Sequence, residues 1–121
     1  MKKRSCVFLI VLLAILISCS KATNPPCGVT DRTTDPINQL PWLSNIINGK
    51  TNCTIYAGAS VTEYTYHNSQ VFYFQNPASS LGICTQAVYD CQGNVLMTAN
   101  DLNGIATFLK IATNKNLIWQ K

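Results

Sequence analysis

The 121-residue chain has one histidine, five acidic residues and only 12% charged residues in all. Each shortage closes off a kind of chemistry. A local triad or metal site would have to rest on His67, which stands beside an expected Asn68-Ser69 turn where a solvated polar residue belongs anyway. Asp31, Asp35, Glu63, Asp90 and Asp101 are scattered, so no local carboxylate pair points to glycoside hydrolysis. There is no phosphate loop, dinucleotide fingerprint or nucleophile elbow. Asp90-Cys91-Gln92-Gly93-Asn94 has the look of a calcium loop but lacks its further acidic ligands and distal glutamate, and reads as a hairpin turn. No catalytic, cofactor-binding or metal-binding residue is therefore assigned, and no enzyme activity is expected. An enzyme reading would need His67 brought beside Asp90 or Asp101 by the fold.

A long hydrophobic run is also missing. The apolar stretch Cys6–Ile17 has twelve residues and rises about 18 Å as a helix, short of the roughly 30 Å core of a bilayer. Preceded by Lys2, Lys3 and Arg4 and followed by Ser18 and Cys19, it has the order of a secretory signal. Leu16-Ile17-Ser18-Cys19 resembles the bacterial lipobox, whose cysteine is acylated and becomes the mature N-terminus. The resemblance makes residues 1–18 a lipoprotein signal peptide and Cys19 the lipidation site. The alternative is an ordinary signal peptide cut near Ser18 or Ala22. Two or three acyl chains, at about 0.8 kcal/mol per buried methylene, would anchor a small domain firmly. By resemblance to lipoprotein sorting, Ser20 favours the outer membrane, and the absence of an acidic run after it favours the periplasmic face.

The net charge of +4 belongs mainly to that leader. Without residues 1–18, six Lys or Arg face five Asp or Glu, leaving +1 on the side chains. So neutral a chain steers neither toward nucleic acid nor toward anionic lipid, and no nucleic-acid partner is expected. Residues 20–35, with Pro25, Pro26 and Gly28, read as a tether able to span roughly 50 Å. Residues 36–121 are left as one domain, near the size where a covalent staple helps.

Within that domain Ile37, Leu40, Leu43, Ile46 and Ile47 recur at helical spacing up to Asn48-Gly49. Pro41 lies inside the pattern, so the better helix begins there, with the proline at its first position. Thr54-Ile55-Tyr56, Val61–Tyr66 and Val71–Phe74 alternate like strands. With Asn68-Ser69 as the turn, Tyr66 would face Val71 and Tyr64 would face Tyr73. Cys84–Tyr89 and Val95–Thr98 read as further strands. Leu102, Ile105, Leu109 and Ala112 mark a second short helix capped by Asn100, before a closing strand at Leu117–Trp119. The expected class is α+β: an N-terminal helix on a mainly antiparallel sheet of about five to six strands.

With Cys6 in the leader and Cys19 as the anchor, four cysteines are left, Cys27, Cys53, Cys84 and Cys91, and they imply two disulfides in an oxidising compartment. Their separations of 26, 31 and 7 residues and the lone histidine do not fit zinc. If Cys84–Tyr89 is a straight strand, Cys84 and Cys91 lie roughly 17–20 Å apart, too far to bridge. In an up-and-down meander Cys53 and Cys91 share one end, so the expected pairs are Cys53 with Cys91 and Cys27 with Cys84.

The hairpin tyrosines Tyr64, Tyr66 and Tyr73 are the candidate contact surface, since amphipathic rings supply area at low entropy cost. Leu40-Pro41-Trp42-Leu43, Tyr64-Thr65-Tyr66, Val71-Phe72-Tyr73-Phe74, Tyr89–Val95 and Leu117-Ile118-Trp119, taken in order, resemble the small uncharacterised lipoproteins of Bacteroidota. That resemblance covers most of residues 40–119 and implies no activity or site residue. The expected partners are the membrane, through the anchor, and another envelope protein. An inhibitor-like module is the alternative.

Overall fold

The computed structural model describes Cys27, residues 36–80 and residues 82–121. The expected signal peptide 1–18, the lipidation site Cys19 and the rest of the 20–35 tether lie outside the described residues. Among the described residues no helix is long and apolar enough to cross a membrane.

The domain is α+β, built on one antiparallel sheet of five strands with a few short helices. Pro36–Gln39 (α1) and Pro41–Ile47 (α2) form two helical pieces rather than one. Leu40 between them is extended, with φ −118° and ψ 90°, because the ring of Pro41 excludes helical geometry from the residue before it. Ser60–Tyr66 (β1) and Ser69–Gln75 (β2) form the central hairpin. Gly82–Thr85 (α3) is a single turn that leads into Gln86–Tyr89 (β3), and Val95–Thr98 (β4) pairs with β3. Leu102–Ile111 (α4) then leads to Thr113–Gln120 (β5), which returns to pair with β1. The strand order is β4-β3-β2-β1-β5.

That order decides the layering. β4 and β5 are opposite edges of the sheet, so the connection between them must cross a face, and α4 is that connection. One face of the sheet carries Val61, Phe72, Phe74, Ala87 and Tyr89 against Ile37, Leu40, Leu43 and Ile46 of α1 and α2. The other face carries Tyr64, Val71, Tyr73 and Val88 against Ile105 and Phe108 of α4. Both faces are therefore covered, which explains why neither face of the hairpin reads as purely polar.

Three local expectations change. The hairpin turn is His67-Asn68, not Asn68-Ser69, with φ of 47° and 60° as a type I′ turn requires. Asn and His enter that left-handed region more readily than Ser does. The register accordingly pairs Tyr64 with Val71 and Thr62 with Tyr73. Each residue keeps its expected face, because the shift is by two. α4 is capped by Asp101 rather than Asn100, its Oδ1 accepting from the Gly104 N–H at 2.8 Å. A Cβ on Gly104 would fall 2.0 Å from Asp101 Oδ2, so the glycine that weakens the helix pattern makes room for the cap. Thr54–Tyr56 forms no strand.

Asn76 replaces that strand. Its side chain is fully buried just past β2, where Nδ2 donates to the Thr54 carbonyl at 2.8 Å and Oδ1 accepts from the Tyr56 N–H at 3.1 Å. One amide thus makes both bonds that a neighbouring backbone would have made to residues i and i+2. Asn76→Ala is expected to lose about 2–3 kcal/mol in urea unfolding, because it leaves two backbone groups unpaired. Asn76→Asp should lose more at neutral pH, where a carboxylate faces the Thr54 carbonyl, and should regain part of that loss in acid. Equal loss for Asn76→Asp at both pH values would rule out this hydrogen-bond role.

Candidate functional site

Two ends of the sheet carry the polar features. At the turn end lie His67-Asn68 and the β3–β4 turn Asp90–Asn94. At the loop end lie Ser60, Gln75, Gln86 and Gln120, with the 48–59 segment beside them.

The disulfides join each end separately. Cys53 is bonded to Cys84, with Cα atoms 5.3 Å apart, and Cys27 to Cys91, with Cα atoms 4.9 Å apart. This corrects the expected pairs Cys53–Cys91 and Cys27–Cys84. The expectation counted Thr54–Tyr56 as a strand, which adds a reversal and moves Cys53 to the wrong end. Without that strand Cys53 approaches β1 from the loop end, where Cys84 also sits, on α3 just ahead of β3. Cys84 and Cys91 are not paired with each other, as expected, although Cys84 lies on α3 and the strand expected from Cys84 begins only at Gln86.

The proposed tyrosine surface is corrected as well. Tyr64 is 7% exposed and Tyr73 3%, and Tyr66 is half-buried. Their rings stand 5.2, 5.7 and 5.3 Å from the ring of Phe108, which α4 lays over them. The Tyr73 hydroxyl donates to Gln86 Oε1 at 2.8 Å, and burial raises its pKa above the ordinary value. These rings form a second core, and Tyr64 and Tyr73 are not available to a partner.

Of the acid–base candidates, His67 and Asp90 share the turn end of the sheet, and Asp101 lies at the other. His67 is exposed in its turn, with its ring 4.1 Å from that of Tyr66. Asp101 caps α4 at the opposite end of the sheet. Asp90 organises its own turn: Oδ1 accepts from the backbone N–H groups of Gln92 and Asn94, both at 2.9 Å, and Oδ2 from Asn94 Nδ2 at 2.8 Å. Slight desolvation pushes its pKa up, but these bonds to the charged form outweigh it and hold the carboxyl below its usual range. Among the described residues no group of three or more His, Cys, Asp or Glu could hold a metal ion. Trp42 closes this turn from the α2 side. Its Nε1 donates to the Cys91 carbonyl at 3.0 Å, and its ring packs so closely on Gly93 (φ +84°) that a Cβ there would lie 2.6 Å from Trp42 Cγ.

The loop end holds a cleft of about 470 Å³ that no sequence motif marks. α2 ends at Ile47, and Gly49, with φ of +67°, turns the chain so that the Lys50 N–H reaches back to the Asn45 carbonyl before the chain loops out through Cys53. Lys121 reaches across from beyond β5, and its Nζ donates to the Ile55 carbonyl. Asn48, Thr51, Asn52 and Thr54 supply neutral donors and acceptors to the wall. Among the described residues that line it, Lys121 is the one with a titratable side chain, since Cys53 is held in a disulfide. Such a wall suits recognition by hydrogen bonds more than proton transfer. Tyr56, more than a third exposed, stands on the same segment. Comparison with protein-family models, with curated proteins and with solved structures finds no match.

Proposed function

We propose that this chain is a lipid-anchored protein of the bacterial cell envelope, of the Bacteroidota lipoprotein type, held at the outer membrane with its domain toward the periplasm. Its α+β domain acts as a non-catalytic binding module for another envelope protein. The observation that carries this reading is Leu16-Ile17-Ser18-Cys19, placed directly behind the apolar run Cys6–Ile17 and its basic flank. The two disulfides support an oxidising compartment. The engagement of Asp90 in bracing its own turn and of Asp101 in capping α4 supports the non-catalytic part. The binding surface assigned to the domain is the loop end, with the cleft and Tyr56, since Tyr64 and Tyr73 are buried.

Mass spectrometry of the mature N-terminus is expected to find an acylated Cys19, and Cys19→Ser is expected to leave the membrane fraction. An unmodified secreted chain would overturn the anchor. A photocrosslinking residue at position 56, used in intact cells, should capture one discrete partner, and repeated empty results would count against the binding module. An inhibitor-like role is favoured by the exposed Tyr56 beside the cleft. It becomes the better reading if the captured partner is an enzyme that the purified domain blocks.

A further inference from the structure

The Cys27–Cys91 bond changes what the anchor does. Residues 20–35 alone would let the domain stand roughly 50 Å from its lipid in any orientation. The bond ties the chain to the turn between β3 and β4, so the arm from Cys19 ends eight residues on and spans at most about 26–29 Å whatever its conformation. Resting on the reading of Cys19 as the lipidated residue, we propose that the turn end of the domain is a membrane-docking surface. Its occupant is the headgroup layer of the leaflet that holds the Cys19 lipid.

The argument is one of lengths. β1, with seven residues, is about 23 Å long, and the two ends of the sheet are at least that far apart. To bring the loop end against the bilayer, the arm would have to run back along the whole strand from Cys91, using nearly all of its contour. To seat the turn end, it has only to cross the headgroups.

The side chains at that end fit the occupant. α4 descends toward it, since Phe108 stands on Tyr66 and Thr113, just beyond the helix, pairs with Thr65. Its last turn exposes Leu109 (44%) and Ile111 (48%) on either side of Lys110, and Lys115 follows on β5. Exposed apolar side chains beside long cationic ones suit a headgroup boundary, where lysine stems lie along the apolar layer and the ammonium groups meet phosphate. The cleft and Tyr56 then face away from the bilayer, open to a partner.

The test uses the full lipidated chain in phosphatidylethanolamine–phosphatidylglycerol vesicles doped with a photoactivatable diazirine phospholipid, with the labelled peptides mapped by mass spectrometry. Labelling is expected to be enriched several-fold at residues 67–70, 92–94 and 109–115 over residues 48–59 and 76–80. Inserting six Gly/Ser residues between Ala22 and Thr23 keeps both disulfides and lengthens the arm, and should reduce that enrichment. A lipidated, vesicle-bound chain labelled equally at both ends, or more at the loop end, overturns the docking surface while leaving the anchor intact. A chain that carries no lipid and does not float with vesicles overturns the anchor itself.

Discussion

Replacing Cys53 and Cys84 together by serine is expected to remove about 3–4 kcal/mol of stability, because the bond closes a loop with a sequence separation of 31. A domain of this size has roughly 4–13 kcal/mol in total, so the variant should sit near the edge of folding at 37 °C. The Cys27–Cys91 bond, at a separation of 64, contains the first loop within its own. Once the inner bond is formed, the outer one closes only about half of that length anew, and its own removal should cost a similar amount rather than more. The two losses differ in kind. Cys53–Cys84 ties the 48–59 segment and the cleft to α3, so its loss should raise amide exchange there first. Cys27–Cys91 backs the turn that Trp42 covers, so its loss should be read most directly in indole fluorescence. Denaturant unfolding of the two double-serine variants, with and without reductant, measures both effects. Unchanged midpoints would show that the staples contribute nothing beyond the hydrophobic core, and non-reducing peptide maps that join Cys53 to Cys91 would refute the topology.

Phe108→Ala is expected to cost about 3–5 kcal/mol, the range for an aromatic deleted from a closed core. Phe108 is fully buried and stands within 6 Å, ring to ring, of Tyr64, Tyr66 and Tyr73. Removing it strips the lid from all three rings at once and leaves α4 held mainly through Ile105. At about 4–8 °C per kcal/mol for a domain this small, Tm should fall by at least about 12 °C. Phe108→Leu should lose less, since it fills part of the cavity. A loss under about 1 kcal/mol for the alanine variant would mean that α4 does not seal this face and that the tyrosines are free to meet a partner.

How much was legible in the sequence depends on how far the determining contact lies along the chain. Pro41 as the first residue of α2, the alternation of β1 and β2, the β3–β4 turn and the α+β class rest on neighbours a few residues apart, and these readings hold. The hairpin turn slipped by one residue because two adjacent positions, His67-Asn68 and Asn68-Ser69, both offer polar turn residues. Only the requirement for two positive φ angles separates them. Thr54–Tyr56 has the composition of a strand but receives its hydrogen bonds from the side chain of Asn76, twenty residues or more away. Counting that segment as a strand puts Cys53 at the wrong end of the sheet and interchanges the disulfide partners. The cleft has no motif at all, since Lys121 meets Ile55 across 66 positions.

By itself the sequence determined most of the elements, the likeness of residues 1–19 to a lipoprotein leader, and that four cysteines would pair, because side-chain period, turn chemistry and parity are local or countable properties. Tertiary structure alone decided which cysteines meet, which face the tyrosines occupy and where a ligand-sized cleft opens. The cause is the path from β4 to β5. Two edge strands on opposite sides of one sheet can be joined only across a face, so α4 covers the tyrosines, and the surface left open lies at the loop end.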